Sequence, residues 1–408
     1  MDKFGVDPQI FRVGEFKSAV EPFMRKNLSD ENELQLMELL NSMNNHMLAN
    51  ISESRGIPKE RIEQISKGME VRSSQDALTT NLVDALMYED EVIELLKEEV
   101  STEDLELVTY GQYKSTYSDY KATKNKIAVI IASGDIVMGK GDEATVGSAK
   151  FVKLIREARL DNSVKAIVMR INSPGGAYIA SDVMWREIEL AKAEKPVIAS
   201  MSDYAASGGY YLAMPCDTFL AQPNTITGSI GIFGILFNLS EMLEDKLGIT
   251  HDEVTTGEYS GMLTVTRSLT DAEKSIFQNS IEKNYQTFVS KAAEGRGMTL
   301  EALKAVAGGR VWTGEQAKER GLVDVLGSFD DAVLIAAKKA GIEDDYKLRY
   351  FPKQKPFFEK LMDDLGGQAK AGLVKEELGE LYPYLKEIQK LKNLRGVQAR
   401  MPFEMEIN

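Results

Sequence analysis

The stretch VKAIVMRINSPGGAYIASD, residues 164–182, decides the fold. From Val164 to Asn172 it is apolar and rich in β-branched residues, without the polar alternation of a half-wetted hairpin. Such a run suits a strand buried on both faces in a parallel sheet. NSPGG then ends it, because Pro174 lacks an amide donor and Gly175 and Gly176 permit backbone that other residues resist. SDVMWREIELAKAEK, residues 181–195, follows with apolar residues at helical spacing. Strand, glycine turn and helix make half of a crossover unit.

Working outward, KIAVIIA (126–132) and PVIASM (196–201) read as further buried strands, with SAKFVKLIREARLD (148–161) as an amphipathic helix. This alternation predicts an α/β fold with a parallel sheet and crossover helices. Of 408 residues, 43% are hydrophobic, enough for sizeable cores. The net charge of −14 disfavours nucleic-acid binding, which rests on neutralising phosphates with Lys and Arg. A single cysteine, Cys216, excludes an internal disulfide and any multi-cysteine zinc site. The start, MDKFGVDPQIF, lacks the basic-then-apolar pattern of a signal peptide, and no apolar run has the length and composition of a membrane span.

The chain resembles itself at a spacing of roughly 240 residues. VGEFKSAVEPF (13–23) faces TTGEYSGMLTV (255–265), two long amphipathic helices end in Arg55-Gly56 and Arg296-Gly297, and LVDAL (82–86) faces LVDVL (322–326). The second unit starts near Lys126, far ahead of its matching block. The expectation is one complete repeat and only the C-terminal part of a preceding one. The implied division is 1–100 for the partial repeat, 101–125 as linker, 126–345 for the complete repeat and 346–408 as a helical tail that binds a partner or lies at the periphery.

Ser207, in SMSDYAASGGYYLAMP (200–215), follows a strand and opens a short helix. The free amide of Gly208 at that helix start could stabilise an oxyanion formed by attack of the serine. A small residue packed at a turn explains the same letters. NSPGG offers a second set of unobstructed amides, or a plain loop. A serine needs a base, and neither histidine, His46 in NNHML or His251 in GITHDEV, has the context of a catalytic triad. Lys17, flanked by Phe16 and an apolar stretch, is an alternative if burial lowers its pKa, although a solvated lysine reads equally well. Its counterpart in the other repeat is Ser260, so the shared fold does not demand a lysine there. GDIVMGK (134–140) mimics a P-loop but is followed by Gly141 where Ser or Thr is needed. No metal-ligand spacing stands out.

INSPGGAYIASD (171–182), MSDYAASGGYYLAMP (201–215), TITGSIGIFG (225–234), GRVWTGEQAKERGLVDVLG (309–327) and FRVGEFKSAVEPF (11–23) together resemble the signal peptide peptidase A (protease IV) family in its long, two-repeat form. The resemblance implies a ClpP/crotonase-like ββα-spiral and a serine protease with a Ser/Lys dyad and no cofactor. By this likeness Ser207 is the nucleophile, Lys17 its base, Gly176 and Gly208 the oxyanion donors, and Ser229 the residue that orients the lysine amine. It also implies peptide substrates such as cleaved signal peptides, a homo-oligomer, tetrameric in the two-repeat form, and membrane attachment in the bacterial cell envelope with the catalytic part on the extracytoplasmic side. Two-repeat members carry a membrane anchor and the front half of the first repeat ahead of the region present here. Exposed apolar surface on residues 1–100 is therefore expected, and the pairing of Lys17 with Ser207, within one chain or between chains, stays open. A crotonase-like acyl-CoA enzyme and a catalytically inactive truncated subunit are the competing readings.

Overall fold

Strand β1 (Asp7–Val13) pairs along its whole length, antiparallel, with a strand more than two hundred residues later, from Val13 opposite Ile232 to Asp7 opposite Asn238. That pairing draws the first residues of the chain into the later fold. The computed structural model describes residues 1–116, 123–352 and 396–401, and forms two compact units: Met1–Leu39 with Thr123–Asn408, and Leu40–Ala122. The division thus falls after Leu39, inside helix α1 (Asp30–Arg55), and not near residue 100.

The smaller unit holds the rest of α1, then α2 (Lys59–Lys67), α3 (Ser74–Thr79), α4 (Glu89–Val100) and α5 (Tyr110–Thr116), the last inside the expected linker. Its buried core is small, with Leu48, Ile57 and Ile62 at the centre. Helix α4 buries no residue, and Met47, Met69 and Tyr88 are exposed, so apolar surface is abundant where it was expected.

In the larger unit the chain winds as a spiral. β2 (Lys126–Ser133), β3 (Asp135–Val137), β4 (Thr145–Gly147) and α6 (Ser148–Leu160) make the first turn. β5 (Val164–Ser173), β6 (Gly175–Ala177) and α7 (Tyr178–Lys192) make the second. β7 (Val197–Ala206) and α8 (Gly208–Ala213) follow, then β8 (Thr218–Ala221), β9 (Ile226–Gly228), β10 (Ile232–Asn238) and α9 (Asp271–Arg296). The unit closes with α10 (Leu300–Val306), β11 (Val311–Thr313), α11 (Gly314–Glu319), β12 (Val325–Leu326), α12 (Phe329–Lys339), β13 (Lys347–Phe351) and β14 (Gly396–Arg400).

The first two turns each feed two sheets before their helix: β2 joins the large sheet and β3 and β4 the small one, then β5 joins the large sheet and β6 the small one. The large sheet has the order β11-β9-β7-β5-β2-β13, parallel except at β11. The small sheet has the order β1-β10-β14-β6-β3-β4. This is the ββα-spiral of the ClpP/crotonase-like class. β5 shows why its sequence is continuously apolar: Ile167, Met169 and Ile171 enter the main core, while Ala166 and Val168 pack under Val333 and Ala336 of α12. Each of the Ile, Met and Val side chains, fully buried, contributes about 1.5–3 kcal/mol.

The matching blocks fold alike. α1 and α9 both span 26 residues. Near the end of each, an arginine grips a later aspartate and a loop carbonyl: Arg55 holds Asp84 and Asn81 O, and Arg296 holds Asp324 and Gly321 O. The expected helical tail differs, since its described residues form strands β13 and β14; 353–395 and 402–408 lie outside the described residues. Among the described residues, no helix is long and apolar enough to cross a membrane.

Candidate active site

Ser207 stands between the last residue of β7 and the first of α8 with φ 54° and ψ −111°. A residue with a Cβ occupies such backbone at a cost of roughly 1–3 kcal/mol, and only when its surroundings impose it. Here its N–H donates to Gly228 O at 2.8 Å, which pins the turn to the end of β9. Gly208, as the first residue of a helix, has an amide with no acceptor inside that helix.

The two glycine turns read from the sequence meet at this point. A Cβ on Gly175 would stand 2.8 Å from Gly208 N, and one on Gly209 would stand 2.5 Å from Ser173 O. Only glycine lets the β5–α7 and β7–α8 turns approach so closely. Gly176 lies in β6 beside Ile136 of β3 on one side and Ala399 of β14 on the other.

Lys17 reaches the same place from the start of the chain. It is fully buried, and its Nζ lies 2.8 Å from Ser207 Oγ, 2.9 Å from Ser229 Oγ and 3.0 Å from Ser229 O. Burial pushes its pKa well below the ordinary lysine value. A buried amine is driven toward its neutral form, which can accept a proton. Ser229 is itself held in left-handed backbone, φ 49°, with its N–H on Arg310 O at 2.7 Å.

The Lys17 segment is clamped from two sides. Phe16 N–H donates to Gly308 O at 3.1 Å, and the Arg310 guanidinium stacks over the Phe16 and Trp312 rings. On the other side lies a buried polar cluster. Glu21 accepts from Ser29 Oγ, Ser29 N and Asn32 Nδ2, while Gln35 Nε2 donates to Phe16 O, Ser18 Oγ and Asn32 Oδ1. Reading the sequence missed Gly308, Gly309, Glu21 and Gln35. All five residues expected at the site, Lys17, Gly176, Ser207, Gly208 and Ser229, lie in the larger unit; His251 is exposed and His46 belongs to the smaller unit. GDIVMGK forms β3 and a turn, with the next helix starting only at Ser148.

The family model described as Peptidase family S49 matches residues 1–103 and 189–343. The chain is 37% identical to "Serine protease SPPA, chloroplastic" of Arabidopsis thaliana over 98% of this chain and 60% of that protein. It is 36% identical to "Protease 4" of Salmonella typhi over 91% of this chain and 62% of that one. It is also 36% identical to "Putative protease slr0021" of Synechocystis sp., covering 63% of this chain and 89% of the relative. The chain therefore spans less than two thirds of the length of the first two relatives. With a family model matched over more than half its residues and relatives alike across nearly all of it, the chain belongs to peptidase family S49.

Proposed function

We propose that the chain is a serine endopeptidase working through a Ser207/Lys17 dyad. The observation that carries this reading is the buried amine of Lys17, 2.8 Å from Ser207 Oγ and depressed in pKa by burial. Neutral Lys17 takes the Ser207 proton as Oγ attacks the carbonyl carbon of a peptide. The C=O electron pair moves onto oxygen, where the amides of Gly208 and Gly176 hold it. When the oxyanion collapses, the C–N bond breaks and the Lys17 ammonium gives its proton to the departing amine. Lys17, neutral again, then takes a proton from water as that water attacks the Ser207 ester; the carboxylic acid leaves and the proton returns to Ser207. Ser229 orients the amine through its hydroxyl and carbonyl.

By family likeness, the substrates are extended apolar or unfolded peptides, including cleaved signal peptides, in the cell envelope, and the working form is a membrane-attached homo-oligomer, a tetramer in two-repeat members. The two-repeat reading is supported by the matched helices and arginine grips. No observation favours an acyl-CoA substrate. Purified Ser207→Ala and Lys17→Ala proteins should each lose hydrolysis of an unfolded protein such as reduced casein; full activity in either would refute the dyad.

A further inference from the structure

Strand β14 has two neighbours distant in sequence, β10 and β6, and runs antiparallel to both. Without it, these strands would face each other across a gap one strand wide, each with an unpaired edge. Such a gap is a slot for an extended peptide, which gains backbone hydrogen bonds from both edges. The residues in the slot are Val397 and Gln398 opposite Gly234 and Phe233, then Gln398, Ala399 and Arg400 opposite Ala177, Gly176 and Gly175.

The strand lies across the Ser207 site in a definite register. A Cβ on Gly175 would stand 2.0 Å from Ala399 O as well as 2.8 Å from Gly208 N, and a Cβ on Gly208 would stand 3.0 Å from the same Ala399 O. The carbonyl oxygen of Ala399 thus lies against Gly175 and Gly208, beside the turn that carries Ser207. Because Gly208 directly follows Ser207, the peptide bond presented to the nucleophile is Ala399–Arg400. Beyond it, Met401 N–H donates to Pro174 O at 2.6 Å, which continues the strand along the glycine turn.

The residue after that bond is read by charge. Arg400 pairs with Asp135 Oδ2 at 3.1 Å, with only 12% and 24% of the two side chains exposed. Arg400 sits opposite Gly175, and Ile136, next to Asp135, sits opposite Gly176. Glycine at 175 leaves no side chain on the intervening strand, so an arginine can cross it to reach an acid two strands away.

We infer that the slot between β10 and β6 is the peptide groove of the Ser207 site, occupied here by the chain's own Val397–Met401, and that Asp135 makes it select peptides with a basic residue immediately after the bond to be cleaved. This rests on the peptidase reading above and adds the substrate preference. An acidic chain of net charge −14 would attract a basic peptide in any register, whereas Asp135 acts at one position only.

The test uses the full chain and internally quenched peptides containing Val-Gln-Ala-Arg-Met, with the arginine replaced by Glu or moved three positions along. The expected kcat/KM is at least about tenfold higher for arginine directly after alanine than for Glu there, as a largely buried pair lost to like-charge repulsion should give. Asp135→Asn should flatten this ratio and Asp135→Lys should invert it; if the lysine variant fails to fold, Asp135→Asn carries the test. Ratios within twofold in the native chain, or a preference equal for the shifted arginine, would overturn the inference. Fluorescence anisotropy of the same peptides on Ser207→Ala protein should rank them in the same order, and an unranked series would also overturn it. Ser207-dependent casein hydrolysis with no peptide preference defeats the groove assignment alone. Ranked binding without any Ser207-dependent hydrolysis defeats the peptidase reading and leaves the groove.

Discussion

Gly309 lies directly against Lys17: a Cβ added at Gly309 would stand 2.7 Å from the lysine N and 2.8 Å from both its Cα and Cβ. Its φ of 85° is also backbone that favours glycine. The position of Lys17 is therefore set by a residue with no chemistry of its own. Gly309→Ala should displace the Lys17 backbone and, since misplacing a catalytic group by an ångström costs on the order of 10²-fold in rate, lower kcat by a comparable factor. KM should change little, because Gly309 lies on the lysine side of Ser207. Steady-state kinetics on a folded variant checks this; a kcat within threefold of the native value would show that the segment yields without consequence.

Lys17 should leave a signature in pH dependence. Its pKa is lowered in the folded chain, so between that lowered value and the ordinary lysine value of about 10.4 the unfolded state binds more protons than the folded one. Stability then rises with pH across this window, and the full penalty for burying the amine is present below it. Lys17→Met should lose this slope, so its stability relative to the native chain should fall as pH climbs toward 10. In the native chain, kcat/KM should rise with pH to a plateau as Lys17 becomes neutral. Urea titrations at several pH values test the first statement, and parallel slopes in the two proteins would contradict it.

Much of this was legible in advance for a physical reason. Buried parallel strands must be apolar on both faces, so β2, β5 and β7 announced themselves, and turns that approach within van der Waals distance must carry glycine, so the NSPGG turn and Gly208 did too, while Gly176 itself came from the family resemblance. Lys17 became a candidate because its repeat counterpart, Ser260, shows the fold does not need a lysine, and the family resemblance named it as the base. The same comparison would have exposed Gly309, which faces Met69 at the spacing of the LVD blocks; both have positive φ, and Gly309 lies against a lysine. Glu21 and Gln35 stayed hidden because nothing local distinguishes a buried, satisfied carboxylate or amide from a solvated one. β14 was misread as part of a helical tail because a strand of five residues that pairs only with distant edges carries no period of its own.

Glu21 should prove to be a structural anchor for the base. It is almost fully buried and accepts three hydrogen bonds, from Ser29 Oγ, Ser29 N and Asn32 Nδ2. Glu21→Gln would turn an NH₂ toward at least one of these donors and leave it unsatisfied, at a cost of about 1–3 kcal/mol. The midpoint of thermal unfolding should fall by several degrees, and kcat should fall because the Lys17 segment begins four residues upstream. An unchanged midpoint would mean that the cluster does not order the segment.

The occupied slot predicts that the chain restrains itself. Ala399 is fully buried in the main core, with its carbonyl against Gly175 and Gly208, so the site accepts a methyl group there. Ala399→Trp cannot enter without steric overlap, and forcing bulk into a packed core costs about 1–3 kcal/mol or more. That penalty works against the strand pairing and the Arg400–Asp135 contact that hold β14, so β14 should leave and the groove should open to other peptides. Hydrolysis of a peptide supplied in trans should then rise severalfold through a lower KM, while kcat stays near the native value because Lys17, Ser207 and the glycine turns are untouched. A synthetic Val-Gln-Ala-Arg-Met peptide should inhibit the Ala399→Trp protein more strongly than the native chain, whose slot is already filled. If the variant shows the native KM and the native response to that peptide, the strand does not compete with substrate.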